Sequence, residues 1–238
     1  MRLTRLGGSM ASEEGWQMTL KAKSEVIRIG AEAIVSKLEW NGFKLVSKHR
    51  VPKPYRMPEL DKWVRERRTL HEAKIISDLK KAGVPCPAVV LMDRDDSTLY
   101  IQFIEGSELK KALDELPPKL VESVARNLGE IVGRMHSNRI AHGDLTTSNI
   151  LIDRNGKLYL IDFGLSAVTD DLEELAVDIH LLDRSLESAH HPLREKFMKN
   201  FLKGYSSIMG RDFTLRIIEK VKEIRRRGRY VEERRRRS

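Results

Sequence analysis

A short pattern of carboxylate and amide residues near the middle of the chain constrains its fold more than any other feature. Asp144 follows His142 by two residues, Asn149 follows Asp144 by five, and Asp162-Phe-Gly164 comes soon afterwards. Phosphoryl transfer needs one carboxylate to orient or deprotonate the nucleophile, while an amide oxygen and a second carboxylate hold Mg²⁺ against the phosphates. Asp144, Asn149 and Asp162 fit these three roles, so the pattern predicts a site for ATP and Mg²⁺.

The segment before this pattern predicts a small lobe rich in β-strands. Asn41-Gly42 is a strong hairpin signal between two apolar runs, and residues 60–82 have helical spacing that stops at Gly83 and Pro85. The lobe is therefore expected to contain one long helix and five strands, at residues 25–29, 33–39, 43–49, 88–92 and 98–103.

The rest of the chain is predicted to be mainly helical. Apolar residues recur at helical steps over 121–135, two short strands are expected at 150–152 and 158–161, and the pattern is helical again from Leu172 onward. The predicted fold class is therefore α+β, with a small antiparallel β lobe and a mainly helical second lobe. The expected divisions are a polar N-terminal extension over 1–23, a first lobe over 24–103, a second lobe over 104–224 and a basic C-terminal tail over 225–238.

Positive charge is concentrated at the C-terminus. Residues 222–238 hold nine Lys or Arg and three Glu, which accounts for six of the formal net charge of +9. A cluster of arginines favours contact with phosphates, because each neutralised phosphate releases condensed counterions. A solvated charged tail is the alternative. The predicted nucleic-acid contacts are Arg225, Arg226, Arg227 and Arg229.

Composition argues against several other kinds of protein. The single cysteine, Cys86, cannot form an internal disulfide, and His and Cys show no zinc-ligand spacing. The apolar runs are too short to cross a bilayer, and the N-terminus has no apolar signal core. We therefore expect a cytoplasmic protein that makes no membrane contact.

The central pattern resembles the signature of the protein-kinase superfamily, in which His-Arg-Asp-Leu-x-x-x-x-Asn precedes Asp-Phe-Gly. Gly143 stands where regulated kinases have the arginine that pairs with a phosphorylated activation loop, and no Ala-Pro-Glu follows Gly164. The resemblance implies a bilobal kinase-like fold that lacks this form of control and lacks the usual peptide-docking platform. His142 is expected to support the backbone of the catalytic loop rather than to transfer protons.

The same resemblance assigns nucleotide contacts to the first lobe. Lys48 and Glu72 match the lysine and glutamate whose ion pair positions the nucleotide phosphates, with Lys44 and Glu66 as alternatives. The catalytic set implied is Asp144, Asn149 and Lys48, with Mg²⁺ on Asn149 and Asp162. The further nucleotide-binding residues implied are Ile29, Gly30, Ala31, Glu32, Ala33, Val35, Gln102 and Ile104.

The phosphate-covering loop departs from the kinase pattern. Gly30 is its one glycine where kinases have three, and it still allows close approach of the backbone to a phosphate. Glu32 beside it would repel phosphate unless the carboxylate is paired or bridged by a metal.

A narrower resemblance covers roughly residues 24–230. Gly30-Ala-Glu-Ala33, the terminal Arg-Arg-Arg-Gly-Arg229 and the segments 48–58, 68–73, 142–149 and 161–166 together resemble the small kinase family of the KEOPS complex, called PRPK in animals, and an archaeal member is expected. The resemblance implies an ATPase and atypical serine/threonine kinase that works beside the threonylcarbamoyltransferase and other KEOPS subunits. It implies support of threonylcarbamoyladenosine formation next to the tRNA anticodon, with tRNA contacted through the basic tail.

Three other functions stay open at this point. They are a stand-alone serine/threonine protein kinase, a catalytically weak nucleotide-binding scaffold that recruits tRNA, and a small-metabolite kinase. The basic tail and the family motifs weigh against the last of these. Trp63 is expected to pack, and a basic stretch could contact tRNA or face solvent: Lys53, Arg56, Arg65, Arg67 and Arg68.

Overall fold

The computed structural model describes the backbone of residues 24–237 and the side chains of residues 24–227. The predicted N-terminal extension over 1–23 and the side chain of Arg229 lie outside the described residues. The first lobe contains one antiparallel sheet in the spatial order β1-β2-β3-β5-β4. Its strands are β1 Glu25–Ile29, β2 Ala33–Trp40, β3 Phe43–Arg50, β4 Val89–Asp93 and β5 Thr98–Gln102. The five predicted strands are thereby confirmed.

The register of this sheet places Lys48 at its centre. The Asn41-Gly42 turn joins β2 to β3 with Trp40 opposite Phe43. From this turn the pairing runs in step along both strands, so Lys48 lies opposite Val35 on one side and Leu99 on the other. A side chain on a central strand has little freedom to move, because hydrogen-bonded strands flank it on both sides.

A long helix, α1 Pro58–Lys81, crosses beside the sheet. It begins at a proline, which suits the first turn because that position needs no N–H donor, and it ends two residues before Gly83. Its buried residues include the apolar Ile75, Ile76 and Leu79 but also Thr69 and Glu72. Buried polar groups are normally hydrogen-bonded, so Thr69 and Glu72 are expected to have polar partners on the elements that α1 packs against.

The second lobe is built from helices around one core. They are α2 Leu109–Ala112, α3 Pro118–Ser137, α4 Leu172–Ala189, α5 His191–Met209 and α6 Arg211–Arg237. The apolar face of α3 is buried, and α3 meets α5 with backbones almost touching, since a Cβ at Gly129 would lie 2.7 Å from Tyr205 N. The predicted α+β bilobal class is confirmed.

Short strands complete the second lobe near the central pattern. β6 Gly106–Glu108, β8 Ile150–Asp153 and β9 Leu158–Leu160 form a small sheet, and β7 Ile140–Ala141 pairs with β10 Ala167–Val168. The sequence predicted β8 and β9 but missed the other three, because strands of two or three residues are too short to show a period. Within the described part of the chain, no helix is both long enough and apolar enough to cross a membrane.

Candidate active site

The catalytic loop brings Asp144 and Asn149 into direct contact. It runs from β7 to β8 and ends in a 3₁₀ turn over Thr147–Asn149. Asn149 Nδ2 donates to the backbone oxygen of Asp144 at 2.9 Å and to its Oδ2 at 2.8 Å. The two N–H groups of the amide are thus directed at Asp144, and the carbonyl oxygen of Asn149 remains the acceptor that a cation would use.

Asp162 lies against Lys48, and the N–H of Ile161 just before it donates to Asn149 O at 3.0 Å. Asp162 Oδ1 is 2.7 Å from Lys48 Nζ, and the backbone of Asp162 has a φ of +64°, a conformation uncommon for a residue other than glycine. Burial works against ionisation of this carboxyl, but the Lys48 ammonium and an N–H of Gly164 outweigh it and hold the pKa of Asp162 below its ordinary value. The carboxylate is therefore charged at neutral pH, as a magnesium ligand must be.

Lys48 also meets Glu72 of α1. Lys48 Nζ lies 2.7 Å from Glu72 Oε1, and Glu72 is only 2% exposed. The alternatives Lys44 and Glu66 take part in separate ion pairs on the surface. The ion pair predicted between Lys48 and Glu72 is present, while its contact with nucleotide stays a prediction.

A second cation on Glu72 was missed by the sequence reading. Arg50 is 3% exposed, and its Nη2 lies 2.6 Å from Glu72 Oε2. The signal in the sequence was the spacing: Arg50 follows Lys48 by two residues, and side chains two apart on a strand point to the same face. A charged residue near a strand end is ordinarily read as exposed, which hid this one.

In the loop between β1 and β2, the carboxylate of Glu32 is paired with an arginine of α1. Glu32 Oε2 accepts from Arg68 Nη1 of α1 at 2.5 Å, and this bond is the main cause that lowers the pKa of Glu32. Lys53 Nζ donates to the backbone oxygen of Ala31. The repulsion of phosphate by Glu32 is therefore partly offset by cations on both sides.

The other predicted nucleotide contacts lie on strands of the first lobe or in the segments that follow those strands. Gly30 N donates to Ala33 O at 2.9 Å and closes the turn after Ile29. Val35 lies on β2 beside Lys48. Gln102 is the last residue of β5, with its N–H donated to Ala88 O at 2.8 Å, whereas Ile104 lies in the connector that follows.

A buried carboxylate of α4 holds the catalytic loop. Asp178 is completely buried, and it accepts from the backbone N–H groups of His142 at 2.6 Å and of Gly143 at 2.8 Å. His136 Nε2 contacts the same carboxylate at 3.2 Å. The sequence predicted a helix here but did not assign Asp178 a role, although an aspartate in an apolar helical stripe was the available signal.

His142 is held as a neutral imidazole. Its Nε2 donates to Ile161 O at 3.1 Å, and its Nδ1 accepts the backbone N–H of Asp144 at 3.3 Å. Burial, the strongest influence, lowers the pKa of His142 despite the nearby carboxylate of Asp178. The ring thus braces the loop backbone, as predicted.

The residue at position 143 must be small because the segment after Asp162 packs on it. Gly143 has a φ of +79°, and a Cβ there would lie 2.8 Å from the carbonyl carbon of Leu165. Ser166 Oγ then donates to His142 O at 3.0 Å, and His71 of α1 donates to Ser166 O at 2.7 Å. The space that a side chain at position 143, such as the kinase arginine, would need is occupied by the backbone of Leu165.

The C-terminal arginines do not form a separate tail. They continue α6, and Arg225 Nη1 lies 3.1 Å from Asp183 Oδ2 while Arg227 Nη2 lies 2.8 Å from Glu173 Oε1, both on α4. Arg226 is exposed. The boundary predicted at 225 therefore falls inside a helix.

Trp63 lies on the surface, so the expectation that it packs is wrong. It is 54% exposed, and the guanidinium carbon of Arg67 lies 5.1 Å from its ring centroid. Both residues lie on α1.

Known proteins resemble this chain along most of its length. The protein kinase domain family model matches residues 46–180. The KEOPS complex subunit Bud32 of Pyrococcus abyssi is 41% identical, over 87% of this chain and 97% of its own length. A probable bifunctional tRNA threonylcarbamoyladenosine biosynthesis protein of Methanobrevibacter smithii is 39% identical over 89% of this chain and 38% of its own length. One from Methanosarcina acetivorans is 43% identical over 85% and 35%. The chain spans little more than a third of these bifunctional relatives.

Proposed function

Because this chain belongs to the Bud32 family of proteins with a protein kinase domain, we propose that it hydrolyses ATP with Mg²⁺ as the kinase-like subunit of a KEOPS complex. In that complex it supports threonylcarbamoyladenosine formation on tRNA, next to the anticodon, in the cytoplasm. One observation carries the proposal: two contacts bring the catalytic loop and the Lys48 ion pair together around Asp162. The N–H of Ile161, the residue before Asp162, donates to the backbone oxygen of Asn149 at 3.0 Å, and the carboxylate of Asp162 pairs with Lys48.

The residues present fit a magnesium ion. Asp162 offers a carboxylate kept charged by its surroundings, and Asn149 offers a carbonyl oxygen while its N–H groups are engaged. Mg²⁺ prefers such oxygen ligands together with substrate phosphates and water. When bound, the ion would neutralise charge on the phosphates of ATP.

Asp144 orients the attacking hydroxyl or water in this proposal. The bond from Asn149 Nδ2 to Asp144 Oδ2 sets the direction of the carboxylate, and Asp178 fixes the backbone that carries it. Lys48 would bind a phosphate oxygen of ATP. The residues of the loop at 29–33, together with Val35, Gln102 and Ile104, surround the rest of the nucleotide.

The architecture around the site favours an ATPase within an assembly. α4 begins at Leu172, so only a brief segment follows Gly164, and that segment packs on the catalytic loop instead of offering a peptide platform. We propose that residues 24–103 and 104–224 form the two lobes around the nucleotide. The basic C-terminal segment from 225 onward would contact tRNA, and the threonylcarbamoyltransferase subunit would bind beside this chain in the complex.

ATP turnover by the purified chain tests the proposal, measured alone and then with a threonylcarbamoyltransferase subunit and tRNA. Turnover should require Mg²⁺ and should be abolished by Asp144→Ala and by Asp162→Ala. Asp170→Ala is the matched control, because Asp170 is an exposed aspartate whose ion pair with Arg139 lies outside the catalytic set. Turnover that survives both of the first two variants would refute the proposal.

A tRNA-recruiting scaffold with little turnover is the second candidate. The helical, arginine-rich end of α6, with Arg226 exposed, favours it. Normal tRNA modification by a complex that carries Asp144→Ala would identify the scaffold. Phosphate transfer to serine or threonine of an added protein, without any partner, would instead identify a stand-alone protein kinase.

A further inference from the structure

We propose that Arg50 is a positioning residue for ATP: it holds the second carboxylate oxygen of Glu72 and so keeps Lys48 available to the phosphates. The inference rests on the proposed function and assigns a role to a buried cation outside the catalytic set. Within the described residues, Arg50 is the other cation that meets Glu72 besides Lys48.

The carboxylate of Glu72 is shared evenly. Its Oε1 lies 2.7 Å from Lys48 Nζ, and its Oε2 lies 2.6 Å from Arg50 Nη2. The side chains of Glu72 and Arg50 are 2% and 4% exposed, so water cannot substitute for either partner. If a buried carboxylate loses one of its two cationic partners, its charge is balanced by the remaining cation alone, and that cation is held more tightly.

This sharing decides how tightly Lys48 is held. Lys48 lies between two carboxylates, because Asp162 Oδ1 is also 2.7 Å from its ammonium. Charges therefore alternate along Arg50, Glu72, Lys48 and Asp162. Once Asp162 serves a metal ion, Glu72 remains as the holder of Lys48. Arg50 satisfies part of the charge on Glu72, and the lysine is then free to share its protons with phosphate.

Arg50 is itself held in place by its neighbours. Its Nη1 donates to Thr69 Oγ1 of α1 at 3.2 Å, and its backbone N–H donates to Ser97 O at 3.3 Å. Arg65 Nη1, also on α1, donates to the backbone oxygen of Arg50 at 3.4 Å. The end of β3 is thus tied to α1 at several points, and the guanidinium reaches Glu72 from a preset position.

In this arrangement the fold itself holds the ion pair between Lys48 and Glu72 together. Protein kinases control the equivalent pair by moving the helix that carries the glutamate. Here Arg50 ties Glu72 to the strand that carries Lys48, which removes that freedom. The pair should therefore be formed before the nucleotide arrives.

Replacing Arg50 tests the inference. Arg50→Met should raise the KM for ATP about tenfold, the factor expected for the loss of one charge-assisted hydrogen bond, with a smaller fall in kcat. Arg50→Lys should restore part of the loss, because it returns the charge without the fork. Arg94→Met is the matched control. Arg94 pairs at the surface with Glu66, which lies on α1 as Glu72 does, so the KM of Arg94→Met should equal that of the wild type.

A second variant covers the case in which Arg50→Met fails to fold. Thr69→Val keeps both charges and removes the bond that orients the guanidinium, so it should raise KM by a few fold. Binding of a fluorescent ATP analogue with Mg²⁺ is measured alongside turnover. A wild-type KM and analogue affinity in Arg50→Met, or in Thr69→Val if only that variant folds, would overturn the inference even if the melting temperature falls. Wild-type protein that binds the analogue but does not hydrolyse ATP would count against the proposed function alone.

Discussion

Gly143 offers the sharpest test of how this catalytic loop is built, through the substitution Gly143→Ala. Two costs add at this position. The first is conformational, because the φ of +79° is unfavourable for any residue with a Cβ, by about 1–2 kcal/mol. The second is steric, because the new Cβ would lie 2.8 Å from the carbonyl carbon of Leu165 and closer to its oxygen. Backbone displaced by such overpacking costs about 1–3 kcal/mol more.

Gly156 separates these two costs. It has a φ of +78°, and a Cβ added there would meet nothing within 4 Å. Gly156→Ala should therefore lose only the conformational part, about 1–2 kcal/mol. Gly143→Ala should lose about 2–5 kcal/mol in total. The difference between the two variants measures how closely the segment after Asp162 packs on the loop.

Urea unfolding and ATP turnover are the two measurements. Gly143→Ala must push Leu165 away, which disturbs the bond from Ser166 to His142 O and with it the position of Asp144. Turnover should therefore fall in Gly143→Ala and stay unchanged in Gly156→Ala. Equal losses of stability in the two variants, together with equal turnover, would refute the packing argument.

Three further predictions concern charges. Asp178→Asn should lower stability by about 3 kcal/mol in urea unfolding and should also lower turnover, because two backbone N–H groups of the catalytic loop lose a carboxylate. The pKa of Asp162 is lowered in the folded state, so the stability it contributes is complete above the pKa of an unfolded aspartate, about 4, and is lost as the pH falls through the lower folded value. When the free energy of unfolding is measured as a function of pH, Lys48→Met should no longer show this loss of stability in acid. Arg226→Gln should weaken tRNA binding and reduce its salt slope by about one, whereas Arg225→Gln should lower the melting temperature because Arg225 is paired with α4.

The sequence predicted the local parts of this fold well. The hairpin at Asn41-Gly42 and the long helix α1 follow from turn chemistry and helical spacing, which act over a few residues. The site pattern was also local, since Asp144 and Asn149 lie in one loop. Lys48 and Glu72 could be named because kinases supply a template for a contact that sequence spacing alone does not encode.

The parts that escaped prediction depend on distant contacts. Arg50 and Asp178 are charged residues, which are ordinarily exposed, and each is buried because another segment brings its partner. The same holds for Arg225, whose charge suggested a free tail until its pairing with Asp183 placed it against α4. Local patterns report which residues carry charge, and the tertiary fold decides which of those charges are satisfied.

The parts of this site that regulated kinases move are each held by a neighbouring segment in this chain. The segment after Asp162 is fixed to the catalytic loop through Ser166 and to α1 through His71. Gly143 excludes the arginine that would sense a phosphorylated loop, and the pair of Lys48 with Glu72 is held from β3 itself. Each of these parts of the site is thus held by a neighbouring segment. On the proposed function, we therefore expect ATP turnover to respond to what binds around the cleft, and turnover measured with and without a partner subunit and tRNA tests this expectation.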